Sequence, residues 1–453
     1  MQLNLFWFRR DLRLNDNAAL FHALKSENPV LPIFIFDKNI LNKLEDRTDA
    51  RVTFLHDTIS ELKAELNKLG SDLIVFYDEP INVFKELMNS FAIKSVFTNH
   101  DFEPYAIKRD TEIKSLLSTQ NIDFQTFKDH VIFEKNEVTK DDGLPYTVFT
   151  PYSKKWKFKL MSEMITHKNQ LISYYFKPYP TEEYFNNFIK NSELGPLSIK
   201  PILSLEDMNF SRSNIKIPSK IVARGIIKNY DKTRDFPALS QGTSKLGIHF
   251  RFGTISIREK ALAASNLNET YLNELIWRDF YAQILHHFPH IGAGKAFRME
   301  YDQIEWRHDE ADFKHWCEGK TGYPMVDAGM RELNKTGTMH NRVRMITASF
   351  LTKHLLLDWR WGEAYFAQKL LDFDLASNNG GWQWAAGSGT DAAPYFRIFN
   401  PEAQQIKFDK DWAYIKLWIP EFGTSAYPKP IVDHKFARER CLATYGKALK
   451  KDN

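Results

Sequence analysis

Apolar residues in the first part of the chain occur in short dense runs separated by longer amphipathic stretches. Four runs are rich in β-branched and aromatic residues, which favour strands: LNLFWF (3–8), VLPIFIF (30–36), DLIVFY (72–77) and SVFTN (95–99). Between them, apolar residues from Val52 to Leu69 recur three and four positions apart, as on one face of a helix. Strands that alternate with helices predict a parallel sheet, so residues 1–135 are expected to form a Rossmann-like α/β domain.

The pattern changes twice further along the chain. Residues 136–215 carry scattered prolines among mixed polar residues and predict a long surface connector with one short helix near 153–166. From about residue 218 the apolar spacing is helical and strand-like alternation is absent. We therefore expect residues 216–453 to form a large all-helical domain, and the fold class is α/β followed by all-α.

Composition limits where and how such a protein acts. The 453 residues carry a formal net charge of only +4, so binding to a polyanion needs a local basic patch. The two cysteines, Cys317 and Cys441, argue against a disulfide framework and cannot form a four-cysteine metal site. No apolar run is long enough to span a membrane, and no leader pattern is present. A soluble, cytoplasmic protein of a reducing compartment is expected.

Two features favour the second half of the chain as the place for a planar ligand. The loop after the first predicted strand, FRRDLRLNDN, lacks the G-x-G-x-x-G pattern that cradles a pyrophosphate, so no dinucleotide is expected there. Nine of the eleven tryptophans lie between Trp277 and Trp418, although large helical domains also use Trp in their cores. Trp306, Trp359 and Trp382 follow no spacing motif, and by spacing alone they are core residues.

The stretch from Asp372 to Asn400 mixes carboxylates, amides, glycines and tryptophans, which a packed core does not require. Its sequence is DFDLASNNGGWQWAAGSGTDAAPYFRIFN. Glycine lets the backbone approach a flat ligand, Asn and Asp supply directional hydrogen bonds, and Trp supplies a stacking face. The alternative is a glycine-rich loop with a few buried aromatic residues.

A helical stripe with similar chemistry occurs in LNELIWRDFY (272–281). The residues whose spacing places them on one helix face are Glu274, Trp277, Arg278 and Tyr281. Acid, indole, base and phenol together make a poor core face. The alternative is a solvated amphipathic face with a Glu274–Arg278 ion pair.

Two shorter motifs are less specific. MHNRVRM (339–345) places three ligand-type side chains on one face: Asn341, Arg344 and Met345. Methionine beside polar groups suits an aromatic ligand, but it is also a common core filler. In GTSKLG (242–247), hydroxyls and free backbone N–H groups can hold an anion, while capping of a helix by Thr243 or Ser244 is the alternative.

Together these motifs resemble one protein family. From FWFRRDLRLNDN through GTSKLG, LNELIWRDFY, GYPMVDAGMRELNKTGTMHNRVRMITASF and DFDLASNNGGWQWAAGSGTDAAPYFRIFNP, the chain is similar over essentially its full length to the class I cyclobutane pyrimidine dimer photolyases of the photolyase/cryptochrome family. The resemblance implies a monomeric enzyme that binds FAD in its helical domain. In light, such an enzyme splits pyrimidine dimers that are flipped out of UV-damaged DNA.

The same resemblance implies which residues hold FAD. The implied contacts are Tyr230, Thr243, Ser244, Lys245, Leu246 and Gly247 at the phosphates, and Tyr271, Arg344, Asp372, Phe373, Asp374 and Asn378 around the rest of the cofactor. Arg344 is implied to pair with Asp372, and Asn378 to face the flavin N5. The tryptophans implied to pass electrons from the surface to the flavin are Trp306, Trp359 and Trp382.

Residues for catalysis and DNA binding are implied in the same way. The catalytic set is Glu274, Asn341, Met345 and Asn378, and no metal is implied. The DNA-binding set is Arg234, Glu274, Trp277, Arg278, Tyr281, Asn341, Arg342, Trp384, Arg397 and Gln404. Trp277 and Trp384 are implied to stack on the flipped pyrimidines and Glu274 to hydrogen-bond the dimer. The residues implied to meet phosphates beside the lesion are Arg234, Arg342, Arg397 and Gln404.

Some positions depart from the family's pattern. Gly247 stands where serine is usual, which removes one hydroxyl contact to the cofactor. Tyr271 and Thr338 stand where the bacterial enzymes commonly carry tryptophan. The segment NHDFEPYAIKRD (99–110) resembles the antenna region without matching the folate-binding pattern. The second chromophore expected there is a folate, a deazaflavin or another flavin, or the site is empty.

Two other functions are compatible with the same fold. Repair of (6-4) photoproducts is expected to need a histidine pair for proton transfer, whereas this chain has Asn341 and Met345 in the corresponding segment. A cryptochrome-type photoreceptor is disfavoured by the intact lesion-binding set and by the absence of a long tail after the helical domain. Dimer repair is therefore the favoured interpretation.

Overall fold

The computed structural model describes residues 2–194 and 201–449, so a small part of the predicted connector lies outside the described residues. The chain forms two compact units. The first consists of Met1–Glu134, Phe158–Lys220 and Leu246–Ala263, and the second of Lys135–Lys157, Ile221–Lys245 and Ala264–Asn453. These units depart from the predicted linear boundaries after residues 135 and 215, because segments distant in sequence contribute to the same unit.

The first unit is built on a five-stranded sheet with the order β3-β2-β1-β4-β5, and neighbouring strands are parallel. The strands are β1 Gln2–Phe8, β2 Val30–Asp37, β3 Ile74–Asp78, β4 Ala92–Asn99 and β5 Asp123–Phe127. The prediction of a parallel α/β domain is confirmed. The sequence pattern misses β5, because this edge strand has no buried residue and therefore no dense apolar run.

Helices cover both faces of this sheet. They are α1 Ala18–Leu24, α2 Lys38–Leu41, α3 Ala50–Lys68, α4 Pro80–Ser90 and α5 Pro104–Ser118. Alternate residues of β1 enter different cores: Phe6 and Phe8 pack with α1 and α3, whereas Leu5 and Trp7 pack with α4 and α5. The period of two in β1 thus fixes which side chains meet which helices.

The predicted connector is more ordered than its composition suggests. Its regular elements are α6 Phe149–Met161, β6 Met164–His167 and β7 Gln170–Ser173, the two strands forming an antiparallel hairpin. The helix begins earlier than the predicted position near 153–166. Further along, Phe188, Leu205 and Phe210 are buried in the core that contains α1 and α3. These single apolar residues, scattered among prolines, show no periodicity in the sequence, but they join residues 158–220 to the first unit.

The strand order reverses between β1 and β4, and open parallel sheets usually bind ligands in the crevice at such a point. Here the protein's own polar side chains lie at the strand ends. Nη1 of Arg9 lies 2.6 and 2.7 Å from the two carboxylate oxygens of Asp110. Asn99, at the end of β4, hydrogen-bonds the buried Asp11 and Asn17. A network of ion pairs and hydrogen bonds therefore takes the place of a glycine-rich cradle.

The remaining helices extend to the end of the described chain. They are α7 Arg224–Lys228, α8 Tyr230–Thr233, α9 Gly247–Phe252, α10 Ile257–Leu267, α11 Glu269–His287, α12 Glu310–Glu318, α13 Pro324–Thr336, α14 Asn341–Ser349, α15 Trp359–Lys369, α16 Leu375–Ala386, α17 Pro401–Phe408, α18 Ala413–Trp418 and α19 His434–Leu449. A π-helical turn, Phe350–His354, follows α14. The described residues of the second unit form no strand, as predicted, and α12 to α16 enclose its main core. None of the helices in the described ranges is long and apolar enough to cross a membrane.

Candidate active site

A cavity of about 450 Å³ opens in the second unit among side chains of α11, α14, α15 and α16. The candidate residues that line it are Arg234, Glu274, Trp277, Arg278, Tyr281, Asn341, Arg342, Arg344, Met345, Asp372, Phe373, Asp374, Asn378, Trp382 and Trp384. The other lining residues are Ala348, Phe366, Leu370, Ser377 and Gly381. Convergent polar groups in an apolar, aromatic cavity are the usual form of a cofactor or substrate site.

Other candidate residues of the second unit lie outside this lining: Tyr230, Thr243, Ser244, Lys245, Tyr271, Trp306, Trp359, Arg397 and Gln404. The hydroxyl of Tyr271 donates to Oγ of Ser244 at 2.9 Å. The ring of Tyr230 meets Tyr271 edge to face, with centroids 5.0 Å apart. These contacts make Tyr230, Ser244 and Tyr271 neighbours. Residues that bind the same end of a cofactor have to lie close together in this way.

The segment GTSKLG (242–247) changes unit partway along. Thr243, Ser244 and Lys245 belong to the second unit, whereas Leu246 and Gly247 belong to the first. Helix α9 begins at Gly247, and no side chain accepts a hydrogen bond at its N-terminus. The alternative in which Thr243 or Ser244 caps this helix is therefore wrong, and the role of the segment at a cofactor stays a prediction.

Helix α11 turns its predicted stripe toward the cavity rather than toward open solvent. Glu274 forms a salt bridge with Arg234, which comes from just after α8. Burial raises the pKa of Glu274 above its ordinary value, and the charge of Arg234 opposes this rise. A carboxyl group with a raised pKa is protonated more readily, but in this structure Glu274 accepts a hydrogen bond from Arg234.

The predicted pair of Arg344 and Asp372 is present. Nη2 of Arg344 lies 3.1 and 3.0 Å from the two carboxylate oxygens of Asp372, and its Nε donates to the carbonyl of Met339 at 2.8 Å. Asp374 caps α16 by accepting from the backbone N–H of Ser377 at 3.2 Å. These contacts fix the charged side chains along one wall of the cavity.

The adjacent residues Asn378 and Asn379 of α16 have different surroundings. Asn379 is buried, and its amide donates to the carbonyl of Ile291 at 3.1 Å. Asn378 lines the cavity, and its Nδ2 donates to Oε1 of Glu363 at 2.9 Å and to the backbone carbonyl of Glu363 at 3.1 Å. With both amide hydrogens directed at Glu363, the amide oxygen is left to accept from a ligand. Sequence reasoning misses Glu363, which belongs to no motif.

Glycines let the helices around the cavity approach closely. A Cβ at Gly380 would lie 2.3 Å from the ring of Tyr281, and a Cβ at Gly362 would lie 2.1 Å from the indole of Trp382. By contrast, a Cβ at Gly381 would meet nothing within 4 Å, and Gly381 lines the cavity. The glycine pair therefore serves helix packing at its first position and leaves ligand space at its second.

The three tryptophans predicted to carry electrons share one core. Trp382 and Trp359 are each 2% exposed and belong to the same buried cluster, against which the half-buried Trp306 also packs. Of the three, only Trp382 lines the cavity. Trp306 also meets Tyr445 edge to face, with ring centroids 5.9 Å apart. This placement suits both core packing and a relay, so the relay stays a prediction.

Two arginines predicted to bind phosphates are already paired with carboxylates. Besides the salt bridge of Arg234, Nη2 of Arg342 lies 2.6 Å from Oδ1 of Asp235, and its guanidinium lies over the ring of Phe408 at 4.6 Å. Arg397 is exposed and Gln404 is half-buried, both outside the cavity lining. A phosphate that binds Arg234 or Arg342 has to compete with these carboxylates.

The side chains present fit FAD. Phe366, Met345 and Trp382 offer apolar surface for a flat ring, and the Arg344–Asp372 pair and Asn378 offer hydrogen-bonding groups. Gly381, also in the lining, leaves open space, because a Cβ there would meet nothing within 4 Å. Within the described residues, no group of three or more His, Cys, Asp or Glu side chains could hold a metal ion.

Sequence comparisons match both halves of the chain. Residues 4–170 match the family model described as DNA photolyase, and residues 271–425 match the FAD binding domain of DNA photolyase. Relatives from Synechococcus sp. and Escherichia coli, each named deoxyribodipyrimidine photo-lyase, are 35% identical. The alignments cover 97% and 99% of this chain and 96% and 100% of these relatives.

Solved structures show the same fold. A bacterial class III photolyase from Agrobacterium tumefaciens has a TM-score of 0.83 and 33% identity, covering 100% of this chain and 98% of that one. An archaeal photolyase from Sulfolobus tokodaii with two FAD molecules has a TM-score of 0.79 and 32% identity, covering 99% and 100%. A Synechocystis cryptochrome has a TM-score of 0.81 at 24% identity, covering 98% and 99%.

Proposed function

Because the chain belongs to the photolyase/cryptochrome family and carries its FAD-binding domain, we propose that it splits cyclobutane pyrimidine dimers in DNA in a light-driven reaction. The observation that carries this proposal is one cavity, lined both by residues expected at FAD and by residues expected at the dimer. Reduced FAD, when bound, supplies the electron that splits the dimer after light absorption. The protein contributes binding, orientation and charge stabilisation.

On the cofactor side, fixed hydrogen-bonding groups orient the flavin. Arg344 and Asp372 hold each other in place and offer their remaining donors and acceptors to the ligand. Asn378, whose amide hydrogens are directed at Glu363, would offer its oxygen to the flavin N5, as the resemblance implies. An acceptor there suits the N–H that a reduced flavin carries at N5. The protein thus favours the form of the cofactor that can give an electron.

On the lesion side, Trp277 and Trp384 offer indole surface to the flipped pyrimidines. Stacking of a base on an aromatic side chain contributes about 1–3 kcal/mol per base. This offsets the few kcal/mol needed to extrude the bases, a cost that is smaller for a damaged pair. Asn341 and Met345 complete the wall of the proposed lesion site.

Glu274 is the proposed electrostatic stabiliser of the reaction. Burial raises its pKa and so favours protonation, and the protonated side chain would donate a hydrogen bond to a pyrimidine carbonyl oxygen. When an electron arrives on the dimer, negative charge develops on that oxygen, and a donor aimed at it lowers the barrier to bond cleavage. The two bonds that join the pyrimidines would then break while Glu274 stabilises the charge on the oxygen, and bound FAD would take the electron back.

DNA binding is expected to free Glu274 for this task. Arg234 is salt-bridged to Glu274, and a DNA phosphate offers the guanidinium an alternative anionic partner. Transfer of Arg234 from Glu274 to a phosphate removes the charge that opposes protonation of Glu274. Arg342, Arg397 and Gln404 are proposed to bind further phosphates beside the lesion.

Electron supply to the resting cofactor is assigned to the three tryptophans. Trp382 lines the cavity, Trp359 is buried in the same core, and Trp306 packs at its edge. The three tryptophans thus range from the cavity lining through the buried core to its edge, which supports a path for electrons from the outside of the helical unit to the flavin. The path serves to reduce the cofactor and is not needed for repair once FAD is reduced.

Several finer assignments belong to the same proposal. We place the chain in the first class of dimer photolyases because its motifs resemble that class, and we expect it to act as a monomer in the cytoplasm. A second, light-harvesting chromophore is also proposed, and the Sulfolobus relative with two FAD molecules supports it. Its chemical type is a folate, a deazaflavin or a flavin.

The cavity disfavours repair of (6-4) photoproducts. None of its lining residues is a histidine, and Asn341 and Met345 stand where a proton-transferring pair is expected. The neighbouring His340 has its pKa lowered to about 4 by burial first and by nearby arginines, so it is neutral at pH 7. A neutral imidazole is a weak acid and cannot replace the missing pair.

Lesion discrimination tests this proposal. The full chain, loaded with FAD and chemically reduced, is incubated under blue light and in darkness with three oligonucleotides: one with a thymine dimer, one with a (6-4) photoproduct and one undamaged. We expect light-dependent loss of the dimer and no change in the other two strands. Repair of the (6-4) strand, or absorption of light by bound FAD without repair of either lesion, would contradict the proposal.

A further inference from the structure

The indole of Trp277 is covered on one side by a ring from a distant part of the chain. Phe149, the first residue of α6, lies parallel to Trp277, with ring centroids 3.7 Å apart and ring planes 3° apart. Trp277 lines the cavity, whereas Phe149 does not. One face of Trp277 is therefore occupied by Phe149, and a ligand in the cavity can use only the rest of the indole.

The start of α6 is fixed to α11, the helix that carries this indole. The ring of Tyr152 is 1% exposed and packs against Phe280 at 5.2 Å. Trp156 is fully buried, and its Nε1 donates to Oδ2 of Asp279 at 2.9 Å. Both anchors lie on α6 and both partners on α11. The position of Phe149 is therefore set by the buried contacts of Tyr152 and Trp156 in the next two turns of α6, as well as by its own ring.

A further ring contact restrains Phe149. Its ring meets Phe280 edge to face at 5.9 Å, and Trp277 meets Phe280 in the same way at 5.5 Å. The three rings form a closed aromatic cluster behind the cavity wall. Neither Phe149 nor Trp277 can turn without disturbing the other.

We propose that Phe149 is a positioning residue for the flipped lesion, which holds the plane of Trp277 so that its cavity side is preformed for stacking. The inference rests on the proposed function, because it assumes that a pyrimidine stacks on Trp277. A preformed face avoids the entropy cost of ordering the indole when the ligand binds. Phe149 itself is not expected to touch the dimer.

Paired substitutions separate stacking from simple packing. Phe149→Leu keeps an apolar side chain but removes the stacked ring, and Phe149→Tyr keeps the ring. Binding constants of the full FAD-loaded chain are measured in darkness for a thymine-dimer duplex and for the same duplex undamaged. We expect Phe149→Leu to weaken dimer binding by about three- to tenfold, the size of a lost aromatic pair, and to leave the undamaged duplex within about twofold. Phe149→Tyr should stay within about twofold on both.

The route through Trp277 is tested in the double variant. If Phe149 acts by holding the indole, Phe149→Leu should add almost nothing to the loss caused by Trp277→Ala. FAD content, read from the absorbance ratio of flavin to protein, should not change in Phe149→Leu.

Several results would overturn the inference. Unchanged dimer affinity would remove the positioning role, and tighter binding would mean that Phe149 occupies the place of a pyrimidine. An equal loss on both duplexes, loss of FAD, or full additivity with Trp277→Ala would indicate general packing instead. Binding of the unsubstituted chain to the two duplexes tests the proposed function separately from the variants. If that chain shows no preference for the dimer duplex, the proposed function is wrong.

Discussion

Glu274 and Glu363 are both carboxylic acids whose pKa is raised by burial, yet their partners give them different tasks. Glu274 faces Arg234 across the proposed lesion side of the cavity. Glu363 accepts the amide hydrogens of Asn378, and we propose that it acts on the cofactor only through that side chain. At this scale the hydrogen-bond partner, more than the residue type, decides the function.

Replacement of Glu274 by Ala should lower the light-driven repair rate at saturating DNA by about tenfold or more. A hydrogen bond to a charged group contributes about 1.5–3 kcal/mol, and this one is proposed to strengthen as charge develops on the dimer. FAD should stay bound, and dimer binding should weaken only modestly. Glu269→Ala, on the same helix but exposed, is the matched control and should repair normally. Loss of flavin in Glu274→Ala would refute the assignment.

Replacement of Glu363 separates orientation from charge. Gln at this position can still accept from Nδ2 of Asn378 through its side-chain amide oxygen, whereas Ala keeps only the backbone carbonyl as an acceptor. We therefore expect Glu363→Ala to speed the oxidation of reduced FAD by air severalfold, and Glu363→Gln to behave more like the unsubstituted chain. Stopped-flow absorbance of the flavin measures both rates. Equal acceleration in the two variants would show that the charge, and not the orientation of Asn378, matters.

At the scale of elements, close approach of α15 and α16 places Trp382, the first member of the proposed electron path, at the cavity. The approach depends on Gly362, where any side chain would collide with Trp382 and with Leu351. Tyr281 of α11 depends on Gly380 in the same way. These two contacts let α11, α15 and α16 pack closely against one another beside the cavity.

Gly362→Ala should destabilise the chain by about 1–3 kcal/mol through overpacking, and it should slow photoreduction of oxidised FAD because Trp382 is displaced. Gly446→Ala is the control, since it also lies within a helix but its Cβ would come no closer than 4.0 Å to a neighbour. That change is expected to be neutral or stabilising by up to about 1 kcal/mol. Thermal unfolding and flavin absorbance measure the two effects. An unchanged melting temperature in Gly362→Ala would show that α15 can shift freely.

Regular elements with dense or periodic apolar residues could be predicted from the sequence, and others could not. The helix over Ala50–Lys68 and the four buried strands follow directly from their patterns. The edge strand Asp123–Phe127 and the packing of the connector do not, because single apolar residues carry no period. In the site, side chains on one helix face could be grouped by spacing. Glu363 and Phe149 could not be grouped in this way, because each contacts its partner at the cavity, Asn378 or Trp277, from another part of the sequence.

At the scale of the whole molecule, a small net charge conceals strong local pairing. The chain has 61 basic and 57 acidic residues, and arginines at the cavity are held by carboxylates. DNA binding is therefore expected to exchange partners at a few positions rather than to rely on bulk charge. Such binding should weaken as salt concentration rises, with a slope that reports the number of phosphates bound.

Trp306→Phe tests the separation of cofactor reduction from repair. We expect photoreduction of oxidised FAD to fall by about tenfold or more, because the outermost member of the aromatic path is lost. Repair by chemically reduced protein should stay within about twofold, since the dimer takes its electron from the cofactor directly. Trp412→Phe, an indole that is 38% exposed and packs on Phe422, is the control. Failure of repair from the reduced state would contradict the relay.

The central claim is that one cavity holds both the electron donor and the lesion, and the excited-state lifetime of bound, reduced FAD tests it most directly. Electron transfer to a dimer in the same cavity must shorten that lifetime, whereas undamaged DNA offers no comparable acceptor. We predict a severalfold shorter lifetime when a thymine-dimer duplex saturates the chain, together with loss of the dimer, and no change with the undamaged duplex. A lifetime that is unaffected by saturating dimer duplex would contradict the account.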